Sequence, residues 1–262
     1  MPTNICFKPN VAPVPRAGPR AVLEGFIAGL TAAEVVAVAN ACCERREFDR
    51  AVECYRHALT LVPLPLPRRR HTIKRLPQAQ GMYEADVRVG IGNALLGRSQ
   101  IAQIEGEGEQ MALALQRDAA AEYARAVAIN PRHVQAQYNL GTLLYCLGDL
   151  AAGEDHLASA ATIEPRFIQA RINLAVAYAE QGEAEAAKLE LHTALHIAPR
   201  HRRVHLNMAL LLLSGLLIDE DPETTCKTAL IHLRTVVDIS PDWAEVSRAP
   251  HPARNGSVTA EL

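Results

Sequence analysis

Three asparagines, Asn139, Asn173 and Asn207, recur at an interval of 34 residues, and each stands eight residues after a proline of the same frame, Pro131, Pro165 or Pro199. A side-chain amide is donor and acceptor at once, so a row of them suits the holding of a polar main chain better than the breaking of bonds. His192 and His196 are four apart, a spacing at which one helix can present two metal ligands. No carboxylate or cysteine completes that set, and solvated histidines are the expectation, with no metal. The basic run PRRRHTIKRLP, from Pro67 to Pro77, could grip phosphate, yet basic linkers of this kind are usually just solvated. Tyr138 and Tyr145 could stack on bases, but no basic stripe accompanies them. The chain has no glycine-rich phosphate loop ahead of a helix, no nucleophile elbow and no carboxylate pair with separated roles. Neither catalysis nor a cofactor is expected.

The elements that must carry these residues follow from the period. A repeat of 34 residues is the length of one helix–turn–helix hairpin stacked on its neighbours. The block from Val134 to Phe167 has Leu140, Gly141, Gly148, Leu157, Ala160 and Pro165 where helices pack, turn and stop. The next, Ile168 to His201, has Leu174, Ala175, Tyr178, Gly182, Ala187, Leu191, Ala194 and Pro199. An earlier copy from Ala32 to Pro65 keeps Ala39, Ala51, Tyr55, Ala58 and Pro63 in the frame. Two further copies fit with insertions: 83–133, interrupted by EGEGEQ, and 202–243, interrupted by LLIDEDPE. Small residues such as Gly141, set against Ala160, let two helices cross closely.

This pattern resembles the tetratricopeptide repeat family. The resemblance covers most of the chain from Ala32 to Pro241 and implies an all-α fold, a right-handed superhelical solenoid of about five hairpins. In that family the first helix of each hairpin lines a concave groove and the sixth residue of each repeat points into it. Asn139, Asn173 and Asn207 occupy the sixth position, whereas Ala37 and Arg88 take it in the first two copies. With first helices about 10 Å apart, an extended peptide at about 3.3–3.6 Å per residue meets one asparagine every three residues. The spacing is similar to the asparagine ladder in the superhelical domain of O-GlcNAc transferases, although no catalytic domain is part of the resemblance. It implies a protein partner held through an extended segment, with Gln135, Tyr138, Thr142, Tyr145, Gln169 and Arg203 flanking the ladder beside Ile172, Val176, Leu206 and Leu210. These neighbours carry little charge, which favours a neutral segment. A carboxylate clamp for acidic tails would need lysine and asparagine where Tyr138 and Thr142 stand.

Composition sets the remaining limits. The 262 residues are 49% hydrophobic but only 4% aromatic, enough for a long helical core and poor in what a large sheet needs. A formal net charge of −2 gives no overall electrostatic argument for nucleic acid or an acidic membrane surface as partner, and neither is expected. The greasiest run, MALLLLSGLLI from Met208, is too short to span a membrane and lies inside a repeat. Six cysteines without a CxxC pair read as reduced, in a cytoplasmic protein.

Outside the repeats the prolines of 1–19 predict disorder, and 20–31 reads as a short apolar helix that could cap the array. Thr31 and Glu34 have capping-box spacing at the start of the first repeat helix. Residues 66–82 read as a basic linker and 244–262 as a C-terminal tail. Trp243 and Val246 offer little to cover the last repeat, so a second reading is an assembly subunit that self-associates, or docks on an enzyme such as a glycosyltransferase, through that end.

Overall fold

The computed structural model describes residues 27, 29–61, 76–106, 108–216 and 221–239. The segment 1–19, the tail 244–262 and most of the basic run after Pro67 lie outside the described residues. The chain forms two compact units, one ending at Ile163 and the other beginning at Glu164. Among the described residues there are ten helices and no strand.

The first unit contains α1 (Ala32–Glu44), α2 (Phe48–Leu61), α3 (Leu76–Glu105), α4 (Glu109–Ile129), α5 (Val134–Cys146) and α6 (Leu150–Ile163). Successive helices pack as the pairs α1 with α2, α3 with α4 and α5 with α6, and the pairs stack through α2 against α3 and α4 against α5. The second unit contains α7 (Ile168–Glu180), α8 (Ala184–Ile197), α9 (Arg202–Leu213) and α10 (Pro222–Ile239). There α7 pairs with α8 and α9 with α10, while α9 also rests on both α7 and α8.

Each local signal has its physical counterpart. The N-terminus of α1 is a capping box, with Glu34 Oε2 accepting from the Thr31 backbone N–H at 2.8 Å and Thr31 Oγ1 accepting from the Glu34 N–H at 3.4 Å. Val35, Ala39 and Cys42 then bury one face of the helix at i, i+4 and i+7. Helices α4, α6 and α8 stop at Ile129, Ile163 and Ile197, each two residues before its frame proline, which cannot donate to continue the ladder. Glycine is required in the turns after α5 and α7, where Gly148 and Gly182 have φ of 91° and 82°. Arg46, the same frame position in the first hairpin, is held at φ 63°.

Helix α3 begins at Leu76, inside the stretch read as a linker, and runs 30 residues without a break. Its register corrects the sequence frame. A methyl on Gly92 would stand 2.4 Å from the Tyr123 ring, just as one on Gly141 would stand 2.9 Å from Leu157, so these two glycines are equivalent. The sixth position of the second repeat is therefore Gly90, and Arg88 is its fourth. A methyl on Gly141 would also come 2.8 Å from the Gly153 carbonyl, so its close neighbours are Gly153 and Leu157 in place of Ala160.

The fourth position carries a device the identity pattern does not reveal. Gln137, Arg171 and His205, 34 residues apart, each donate a side-chain N–H to the carbonyl of the preceding frame proline, at 2.8 Å to Pro131, 2.9 Å to Pro165 and 2.8 Å to Pro199. Each also grips the second helix of its own hairpin. Gln137 meets His156 at 2.7 Å, Arg171 meets Glu190 at 2.7 Å and His205 meets His232 at 2.8 Å. In the second repeat Arg88 makes the same grip on Glu122 at 3.1 Å. These straps tie each hairpin at its base, and buried polar groups such as Glu122, Gln137 and His205 stay paired.

Candidate functional site

In the first unit the sequence-predicted amide is already engaged. Asn139 donates from Nδ2 to Asn93 Oδ1 at 3.0 Å, and its own Oδ1 accepts from Gln135 Nε2 at 2.8 Å. The Tyr123 hydroxyl donates to the same Asn93 oxygen at 2.7 Å. Burial pushes the Tyr123 phenol up, so it stays a neutral donor. Asn93 is the ninth residue of its repeat, and Asn40, the ninth of the first, accepts likewise from the Tyr55 hydroxyl. Asn139 thus takes part in an internal amide–phenol network that the 34-residue frame could not show, because Asn93 lies 46 residues away across an insertion. Around it Gln135 is exposed, while Tyr138, Thr142 and Tyr145 are half-buried on α5.

In the second unit Asn207 differs. Asn173 on α7 and Asn207 on α9 are both half-buried, Gln169 is exposed and Arg203 half-buried. Ile172, read as a groove neighbour, is instead fully buried in the α7–α10 core. Asn207 lines an open recess of about 270 Å³ between α7 and α9. Its α7 wall is Ala175, Val176, Ala179 and Glu180, with Leu191 of α8 behind and Leu210 and Leu211 on the α9 side. Among the described residues the Asn207 side chain has no hydrogen-bond partner. The mouth is apolar: Leu210 is 57% and Leu216 39% exposed. Leu216 is set there by the turn after α9, in which its N–H donates to Ser214 Oγ at 3.3 Å and Gly215 adopts φ 73°.

Sequence reasoning included Val176 and Leu210 among the groove neighbours but missed Ala175, Ala179, Leu211 and Leu216. A usable signal was present, because Leu210, Leu213 and Leu216 within MALLLLSGLLI leave the buried face of α9 at Met208, Leu211 and Leu212. His192 and His196 are both exposed on α8, and no group of three potential metal ligands forms among the described residues. No described helix is long and apolar enough to cross a membrane.

A tetratricopeptide repeat family model matches residues 147–211, which run from the end of α5 into the wall of this recess. Over that stretch the chain has the tetratricopeptide repeat pattern. Solved structures agree on the fold of the repeat protein. The MamA fragment from Desulfovibrio magneticus RS-1 superposes with a TM-score of 0.55 at 14% identity, covering 84% of this chain and 97% of that one. YrrB, described as a TPR protein with an unusual peptide-binding site, gives 0.53 at 18% identity over 87% and 96% of the two chains. TTC0263 from Thermus thermophilus gives 0.51 at 17% identity over 83% and 95%. At these identities the likeness is one of fold. No curated protein sequence matches the repeat protein.

Proposed function

We propose that this protein is an adaptor that holds an extended segment of a partner protein against the first helices of its repeats, with side-chain amides meeting the partner's main chain. The observation that carries the reading is Asn207, an amide with no internal partner among the described residues, set at the mouth of an apolar recess. An open donor–acceptor pair beside uncovered aliphatic surface is the combination that peptide grooves use, main chain for affinity and pockets for side chains. The fold shared with YrrB, a protein with a peptide-binding site, is consistent with it. Cysteines outside any disulfide at Cys42, Cys43, Cys54, Cys146 and Cys226 favour a reducing, cytoplasmic setting.

The test is affinity capture with the wild-type chain, the Asn207→Ala variant and the triple variant Asn139→Ala, Asn173→Ala, Asn207→Ala. The triple variant should lose the captured partner while keeping its helical circular dichroism, and Asn207→Ala alone should account for most of the loss. Capture that is unchanged in the triple variant would place binding elsewhere.

A second reading rests on α10, where Leu230 is 59% and Ile231 65% exposed on the last described helix. An assembly subunit would use that strip to meet another copy or an enzyme. Light scattering over a range of concentrations separates the two, since the groove reading works with a monomer.

A further inference from the structure

We infer that the recess between α7 and α9 is an anchor pocket for a single aliphatic side chain, leucine, isoleucine or methionine, carried by an extended partner segment with a lysine or arginine next to the anchor. The inference rests on the groove reading and names what that groove selects.

Size comes first. At about 270 Å³ the recess falls below the roughly 300–1,000 Å³ of pockets that enclose whole small ligands. It suits one side chain entering from a main chain that stays outside.

Shape and chemistry point the same way. Ala175 and Ala179 stand one turn apart on α7, and their short side chains leave the hollow that Leu211 backs from α9. Among the described residues no aromatic lines it, so nothing in these walls favours a stacked ring. Leu210 and Leu216 stand at the mouth 57% and 39% exposed, surface that an entering aliphatic group would cover. Asn207 lies three residues before Leu210 on the same face of α9, so its amide can meet the main chain beside the anchor.

Charge selects the neighbour. Among the described residues the only ionisable side chain lining the recess is Glu180, exposed at the end of α7. A basic residue beside the anchor meets an opposite charge there, and an acidic one is repelled, which biases choice of partner more than affinity. This sharpens the neutral segment expected from sequence into a neutral-to-basic one.

The experiment pans a phage library of random peptides against the full chain and then measures synthetic copies of the selected peptides. Selected sequences should share one leucine, isoleucine or methionine with lysine or arginine within two residues. Their affinity should fall about tenfold or more with Leu210→Asp, the effect of failing to bury one aliphatic side chain. Glu180→Arg should move the selected neighbour from basic to acidic. Leu210 is exposed on its helix, and Leu216→Asp, beyond the end of α9, repeats the test if Leu210→Asp alters the helical signal. Peptides that ignore Leu210→Asp but weaken with Asn207→Ala overturn the anchor pocket and leave the groove reading standing. An acidic or purely polar consensus overturns the pocket too. Peptides indifferent to both substitutions, or no enrichment at all, overturn the groove reading itself.

Discussion

Gly141 has so little space around it that a single methyl group becomes a measurable load. The added carbon would lie 2.8 Å from the Gly153 carbonyl and 2.9 Å from the Leu157 backbone nitrogen. Neither is a flexible side-chain tip that could swing aside, so α5 and α6 would have to separate. Gly141→Ala should therefore cost about 1–3 kcal/mol. Urea denaturation followed by circular dichroism would show a lower midpoint with an unchanged slope, and a midpoint equal to wild type would mean that the helices yield freely. Gly97 makes the contrast, because its methyl would meet only side-chain atoms, the ring of Phe48 at 2.4 Å. The sequence identified Gly141 as a crossing point but matched it with Ala160, since spacing along one helix does not say where on the next helix the crossing falls. Asn139 has the same history: its frame position was legible, its engagement with Asn93 was not, because an insertion separates the two partners.

The turns and straps decide how far the 34-residue frame can be read at the level of elements. Gly148 and Gly182 turn the chain through left-handed backbone with nothing within 4 Å of an added methyl, so conformation alone demands glycine there. Arg46 takes the same turn at φ 63° and has a Cβ to place. A non-glycine residue in this conformation costs roughly 1–2 kcal/mol. Arg46→Gly relieves that cost against the greater entropy of an unfolded glycine. The net gain should be a few tenths of a kcal/mol to about 1 kcal/mol, read as a higher Tm, and a lowered Tm would show that the arginine side chain stabilises the turn by other means. The hairpins, their order and the proline stops were legible because identical residues recur. The straps were not, although Gln137, Arg171 and His205 keep the same interval, because what they share is an N–H aimed at a proline carbonyl and not a residue type. The recess escaped for a related reason: it is built from alanines that read only as packing.

Across the whole molecule the straps make the two units respond differently to acid. In the second unit His205 Nε2 faces the Pro199 carbonyl at 2.8 Å and must donate to it, which leaves Nδ1 as an acceptor and requires His232 Nδ1 to carry the proton between the rings. Burial, then the charges of His205 and His192, hold the His232 pKa below its ordinary value, and burial and Arg203 do the same for His201. Lys188 and Asp221 border the cleft that His232 enters. A histidine whose folded pKa is depressed binds protons more weakly than the unfolded chain, so its contribution is complete above about 6.5 and is lost as pH falls below that value. In the first unit the corresponding straps are Arg88–Glu122 and Gln137–His156, of which only His156 is a histidine held low by burial. Repeat arrays add their stability hairpin by hairpin, so a local loss stays local. Amide exchange followed by mass spectrometry, corrected for the intrinsic rate, should therefore show α9 and α10 losing protection between pH 7.5 and 5 before α1 and α2 do. Replacing His205 with arginine and His232 with glutamate copies the Arg171–Glu190 strap and should remove the difference. Equal loss in both units, or loss that persists in the double variant, would show that the acid response does not come from the histidine pair.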